Sequence, residues 1–214
     1  MLTKKTIFSL SERKLLQSFF IIVAFFLALD FFSVAHAACF NVGTTTPGTA
    51  TCVTIPVTIT VQFSMTGGNK LDCTTVVNQS TFYVNEPSGP MLGGSITSCN
   101  ENSRTFTFTS SDLKPGKTFT YTVTTGRKDK TTPIPNSLCS NTSYTFSTVP
   151  MGDIDQNCAI NSTDVTNCLD YANGAVTPSA SQKTLADMDV DTFVNADDCL
   201  LIFQQTLTPS SPMP

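Results

Sequence analysis

The chain is 214 residues long with a formal net charge of −4, 40% hydrophobic residues, eight cysteines, one histidine and no tryptophan. An acidic balance of this kind argues against nucleic-acid binding, which needs a basic footprint. The one histidine, His36, falls inside an N-terminal export segment, so the mature chain lacks the usual general base and zinc ligand and cannot build a Ser-His-Asp or Cys-His arrangement.

Residues 1–37 read as a signal peptide. Lys4, Lys5, Arg13 and Lys14 form a basic start, Phe19 to Leu29 an apolar stretch, and Ala35-His36-Ala37 a cleavage site. An uncleaved anchor would have to bury Asp30 in the apolar stretch, which is costly, so no membrane span is expected in the mature chain. A lipid anchor at Cys39 is disfavoured because His36 stands where an apolar residue belongs. Carboxylate catalysis is poorly provided for as well: the only glutamates after the leader are Glu86 and Glu101, and the chain is not expected to be an enzyme. Export implies an oxidising compartment, and all eight cysteines, Cys39, Cys52, Cys73, Cys99, Cys139, Cys158, Cys168 and Cys199, lie beyond residue 37 without a Cys-x-x-Cys spacing. They are disulfide candidates.

Residues 38–149 alternate apolar and Thr/Ser positions in short runs, the signature of an all-β sandwich. Val57, Ile59, Val61 and Phe63 share one face of the first long run. Strands are expected near 53–56, 57–64, 80–85, 94–98, 104–109, 118–124 and 143–148, with a turn at Leu113-Lys-Pro-Gly116. Arg127-Lys-Asp-Lys130 reads as a solvated loop. Asn78, Asn141 and Asn161 begin glycosylation patterns that composition alone explains. Simple alternation of strand direction puts Cys39, Cys52, Cys73, Cys99 and Cys139 at one end of the sandwich and Cys158, Cys168 and Cys199 at the other. The pairings read from this are Cys39–Cys52, Cys73 with Cys99 or Cys139, and Cys168–Cys199; a bond between the two groups would require the C-terminal segment to fold back along the sandwich.

The runs Val53-Thr-Ile-Pro-Val-Thr-Ile-Thr-Val-Gln-Phe-Ser64, Leu113-Lys-Pro-Gly-Lys-Thr-Phe-Thr-Tyr-Thr-Val123 and Tyr144-Thr-Phe-Ser-Thr148 resemble bacterial Ig-like domains of the surface-layer-protein type. The resemblance implies a spacer or presentation module without catalytic residues.

Residues 150–208 carry an internal repeat. Asp153, Asp155, Asn157, Asn161 and Asp164 stand at positions 1, 3, 5, 9 and 12 of one twelve-residue loop, and Asp187, Asp189, Asp191, Asn195 and Asp198 at the same positions of a second. With the backbone carbonyls of Ala159 and Phe193 at position 7, this is the ligand spacing of a calcium loop, and two ions are expected. Val165, Cys168, Leu169 and Ala172 then mark one helix face, and Cys199, Ile202 and Phe203, with Leu201 and Leu207 nearby, a second. Nine aspartates against one Lys, Lys183, make the unit self-repelling and too small to be secure without metal. Residues 209–214 read as a disordered tail.

Gly152 to Tyr171 together with Ala186 to Ile202 resemble the duplicated calcium-loop-plus-helix unit of dockerin type I domains. The resemblance implies a module that plugs an exported protein into a cohesin on a scaffold, reading its partner through loop positions 10 and 11. These are Ser162 and Thr163 in the first copy but Ala196 and Asp197 in the second, so docking is expected through the first copy. Position 6, usually Gly, is Cys158 and Thr192. The expected whole is multidomain, a sandwich followed by a small EF-hand-like helical module: a secreted or surface-exposed, non-catalytic protein bound to a cohesin-like or envelope protein. The alternative is a calcium-rigidified envelope protein with an adhesive or carbohydrate-binding Ig-like domain.

Overall fold

The computed structural model describes residues 39–131 and 134–207; the expected leader and tail lie outside them. Among these residues, seven strands form two antiparallel sheets. β1 (Asn41–Thr46), β2 (Thr58–Ser64), β5 (Thr105–Thr109) and β4 (Ser95–Asn100) make a four-stranded sheet in that order; β3 (Phe82–Asn85), β6 (Thr118–Val123) and β7 (Thr142–Ser147) make the other. The two-residue alternation sets which face is buried. Ile59, Val61 and Phe63 of β2 meet Phe106 and Phe108 of β5 on one inner face, against Phe82 and Val84 of β3, Phe119 and Tyr121 of β6 and Phe146 of β7 on the other. Phe82 packs edge-on against Phe106, with ring centroids 5.0 Å apart.

Two expectations about strands fail, and together they rearrange the cysteines. The segment 53–56 is not a strand; it touches β7's extension through a single bridge, Val53 to Thr148, and Pro56 has no amide to donate to a ladder. Asn41–Thr46 is one. It pairs only with β2, and only Val42 packs against the core, so its Thr- and Gly-rich sequence shows little apolar alternation. Running antiparallel to β2, β1 carries the chain from Cys39 the length of the sheet, leaving Cys52 beside the exit of β7. The expected grouping of five and three thus becomes four and four. Cys39 bonds Cys139, not Cys52, with Cα atoms 4.8 Å apart. Cys73 bonds Cys99, as one of its two expected partners. Cys52 bonds Cys158 across the domain junction, and Cys168 bonds Cys199.

The expected solvated loop at 127–130 is half interior. Arg127 is fully buried, its guanidinium 4.3 Å above the Phe106 ring and its Nε donating to the Thr81 carbonyl at 3.2 Å. Its two terminal nitrogens find no hydrogen-bond partner among the described residues. Asp129 is buried too, accepting from Asn69, Thr131 and Asn136. Burial pushes the Arg127 guanidinium down to about 9. Because the folded state disfavours this charge, the unfolded chain binds the extra proton between that value and the ordinary one, and the penalty on folding is full below about pH 9 and fades above it. Arg127→Met, which keeps the length and the contact with Phe106 while deleting the charge, is expected to raise stability by roughly 1–3 kcal/mol at pH 7. Arg127→Ala, which leaves a cavity, is expected to lower it. Denaturant melts of both variants at pH 7 and 9.5 check the pair; a less stable Met variant would contradict it.

The C-terminal unit has three helices, α1 (Ser162–Ala172), α2 (Ala180–Ala186) and α3 (Ala196–Leu207). The short α2 was not expected from periodicity. Its Ser179 cap and Gln182 make a capping box, and its last residues Leu185 and Ala186 are buried. Ile154, Cys168, Ala186, Cys199 and Ile202 form the core. The expected faces are narrower than read: Leu169 is 44% exposed and Phe203 45%, with Leu201 and Leu207 also exposed. The Cys168–Cys199 bond joins α1 to α3, and Val165 and Ala172 of the expected face are only partly buried against the core. Gly152 enters the unit at φ +94°, donating to the Leu185 carbonyl, and a Cβ there would lie 3.2 Å from Gln205 Oε1. Among the described residues no helix is long and apolar enough to cross a membrane.

Candidate metal centre

Both twelve-residue loops fold by the same local chemistry. In the first, Asp153 accepts the amides of Asn157 and Cys158 at 3.0 and 2.9 Å, and Asp164 accepts those of Ile154, Asp155 and Asn161 at 2.8, 3.3 and 2.9 Å. In the second, Asp187 accepts from Asp191 and Thr192 at 3.0 and 2.9 Å, and Asp198 from Met188, Asp189 and Asn195 at 2.7, 3.3 and 2.9 Å. Positions 1 and 12 thus close each loop from opposite ends. The Asp164 and Asp198 side chains are fully buried, and Asp153 is as well. Asp164 is also the third helical residue of α1, which completes a capping box with Asn161.

Carboxylate oxygens of Asp153, Asp155 and Asp164 lie within 4.8 Å of one another, as do those of Asp187, Asp189 and Asp191. Crowding of this kind is unfavourable without a cation. Burial pushes the Asp153 carboxyl up, and the neighbouring Asp164 adds to the rise against the pull of two amides. Asp189 is likewise pushed up, by desolvation and by the charges of Asp191, Asp198 and Asp187. The donor set is all oxygen, with neither imidazole nor thiolate, and so fits a hard cation such as calcium better than zinc.

The remaining expected ligands play visible local roles. Asn157 donates to Asp155 at 2.8 Å and accepts from the Ala159 amide at 2.9 Å. Asn161 caps α1 through Thr163 and also donates to the Ala159 carbonyl, while Asn195 accepts from the Asp197 amide at the start of α3. Phe193 donates its amide to Asp191, and its ring is exposed. The turn at position 6 is left-handed in both copies, φ +76° at Cys158 and +79° at Thr192, where glycine is easiest. Position 4 is left-handed too, at Gln156 and Val190. Ser162 and Thr163 are exposed at the start of α1, and Ala196 and Asp197 are exposed at the same place on α3.

What sequence reasoning missed in the first loop is its attachment to the sandwich. Gln156 Oε1 accepts the Ile55 amide at 2.9 Å, and Cys158 is bonded to Cys52. An odd cysteine count in each expected group was the one signal that a bond ran between them.

Residues 38–148 match the family model of the bacterial Ig-like domain, and residues 151–206 that of the dockerin type I domain. No curated protein matches the chain. Among solved structures, PcoC, a methionine-rich copper resistance protein from Escherichia coli, is 14% identical, covering 52% of this chain and 99% of that one at a TM-score of 0.37. CopC from Methylosinus trichosporium OB3b is 12% identical, covering 52% and 94%, also at 0.37.

Proposed function

We propose, from the premise that the chain belongs to the bacterial Ig-like domain family, that it is an exported, non-catalytic protein which its C-terminal dockerin module fastens to a cohesin-like partner in a calcium-dependent way. Dockerin type I domains bind calcium and attach proteins to one another, and neither this module nor an Ig-like domain is a catalytic unit. Four disulfides fit an oxidising compartment. The observation that carries the reading is the doubled oxygen cage, the same five amide-to-carboxylate bonds drawn twice in one small unit.

On this reading each loop holds one calcium. Asp153, Asp155, Asn157, Asn161 and Asp164 with the Ala159 carbonyl serve the first; Asp187, Asp189, Asp191, Asn195 and Asp198 with the Phe193 carbonyl serve the second. The ion neutralises the crowded carboxylates and fixes the loop, which in turn sets the starts of α1 and α3 where a partner would be read. The sandwich acts as spacer. The covalent tie between sandwich and first loop also favours the second reading, a calcium-rigidified envelope protein.

Capture from the native secretome decides between the two. The immobilised chain in millimolar calcium is expected to retain one dominant protein that a chelator releases. Retention indifferent to the chelator would remove the docking reading, and retention of nothing would favour the structural one.

A further inference from the structure

The internal repeat supplies its own control for one feature of the first loop. At loop positions 4 and 6 the backbone is left-handed in both copies, yet the side chains are used differently. In the second copy Val190 is 75% exposed and Thr192 faces solvent. In the first copy the equivalent Gln156 and Cys158 are both committed to the sandwich, one by a hydrogen bond to Ile55 and the other by the bond to Cys52. The receiving strip is itself held: Val53 donates to Ser147 at 2.8 Å, and Val149 donates to Val53 at 3.0 Å. The path from Val149 through Asp153 to Cys158, across the disulfide to Cys52 and back through Val53 is therefore a small closed ring. Cys158 also donates its amide to Asp153, the first residue of the loop, so the ring passes through the cage that would hold the ion.

We propose that the Cys52–Cys158 disulfide is a thiol-sensitive coupling between the first calcium loop and the Ig-like sandwich. Oxidised, the two are one thermodynamic unit, and calcium in the first loop stabilises β7 and the 50–56 strip. Reduced, the first loop keeps only the Gln156–Ile55 hydrogen bond to the strip, too little to hold the two together, and calcium acts on the module alone. The switch is an ordinary exchange with a thiol reductant: two external thiols give up two protons and two electrons, the Sγ–Sγ bond breaks, Cys52 and Cys158 become thiols, and the reductant leaves as its own disulfide. Cys158 is exposed, whereas the Cys168–Cys199 bond in the module core is buried, so the coupling bond is the more open of the module's two to a reductant. The proposal rests on calcium binding by the loops, and by linkage it is reciprocal: an intact sandwich tightens the first site.

Hydrogen exchange of the full chain, with chelator and with millimolar calcium, tests it. Calcium is expected to slow exchange in residues 50–56 and 142–149 by about five- to tenfold or more. The slowing should persist in Asp187→Ala, which removes the second site, and vanish in Asp153→Ala. It should also vanish in Cys52→Ser with Cys158→Ser, and in Cys52→Ser with Cys158→Gly, the second pair giving position 6 the residue its backbone favours so that folding of the loop is kept. Equal protection with and without the disulfide overturns the coupling, as does a wild-type chain that binds calcium by titration yet shows no protection in the sandwich. A wild-type chain that binds no calcium at all overturns the functional reading itself, and the coupling with it.

Discussion

Calcium at 100 times its dissociation constant is expected to stabilise the fold by about 2.7 kcal/mol per site, which for two sites raises the melting temperature of the disulfide-coupled module and sandwich by roughly 10–20 °C. The size of the effect follows from what the ion replaces. Three carboxylates within 4.8 Å in each loop repel one another, and the module buries only six apolar residues among those described. Metal binding is then a large share of the folding free energy. Asp153→Ala combined with Asp187→Ala should remove most of the shift, because each position-1 carboxylate closes its loop through two amides and is an expected ligand. The readout is the difference between chelator and calcium, since the melting point in chelator combines lost hydrogen bonds with relieved repulsion. Titration should find two sites with affinities in the broad range of about 10⁻⁷ to 10⁻³ M. A module that melts at the same temperature in both buffers would remove calcium from the account.

The second large effect is on docking. Exchanging Ser162 and Thr163 for Ala and Asp is expected to weaken partner binding by about 2–4 kcal/mol, or roughly 30- to 1000-fold. The swap is clean because the two loop-to-helix starts share a backbone: the Thr163 and Asp197 amides donate alike to Asn161 and Asn195 at 2.8 and 2.7 Å. Only the exposed groups change, two hydroxyls becoming a methyl and a charge, and neither position is an expected ligand. Calcium titration of the variant should match the parent. If Ala196→Ser with Asp197→Thr proves the change that matters, the partner reads the second copy instead.

The sandwich was legible in the sequence wherever a strand is flanked on both sides or carries an apolar face. β2, β5 and β6 announce themselves through Ile59, Val61, Phe106, Phe108, Phe119 and Tyr121, all buried. β1 was not, because an edge strand with one neighbour and one inward side chain, Val42, has little pattern to display, and Thr and Gly are as common in loops. That omission, together with the strand wrongly expected at 53–56, moved Cys52 to the wrong end and produced the incorrect Cys39–Cys52 pairing. Arg127 was misread for a related reason: a charged residue in a basic run looks solvated, and nothing local to 127–130 tells that the Phe106 ring lies beneath it. The loops were legible because twelve-residue spacing is a local rule, repeated. The contacts of Gln156 and Cys158 were not, because they join residues about a hundred positions apart.

The disulfide pattern also settles where tension would travel if the chain were pulled between Cys39 and the end of α3. The taut covalent route runs from Cys39 through β1 to Cys52, crosses to Cys158, follows the first loop and α1 to Cys168, and crosses again to Cys199. β2 to β6 lie off that route, as do α2 and nearly all of the second loop. β1 could be sheared from its sheet only by a length that Cys52 caps, and β7, tied to the same pulled end by the Cys39–Cys139 bond, shares the load with it. A chain held at α3 and pulled at Cys39 would yield by a few residues and then stop, behaving as a short strap and not as an unravelling thread.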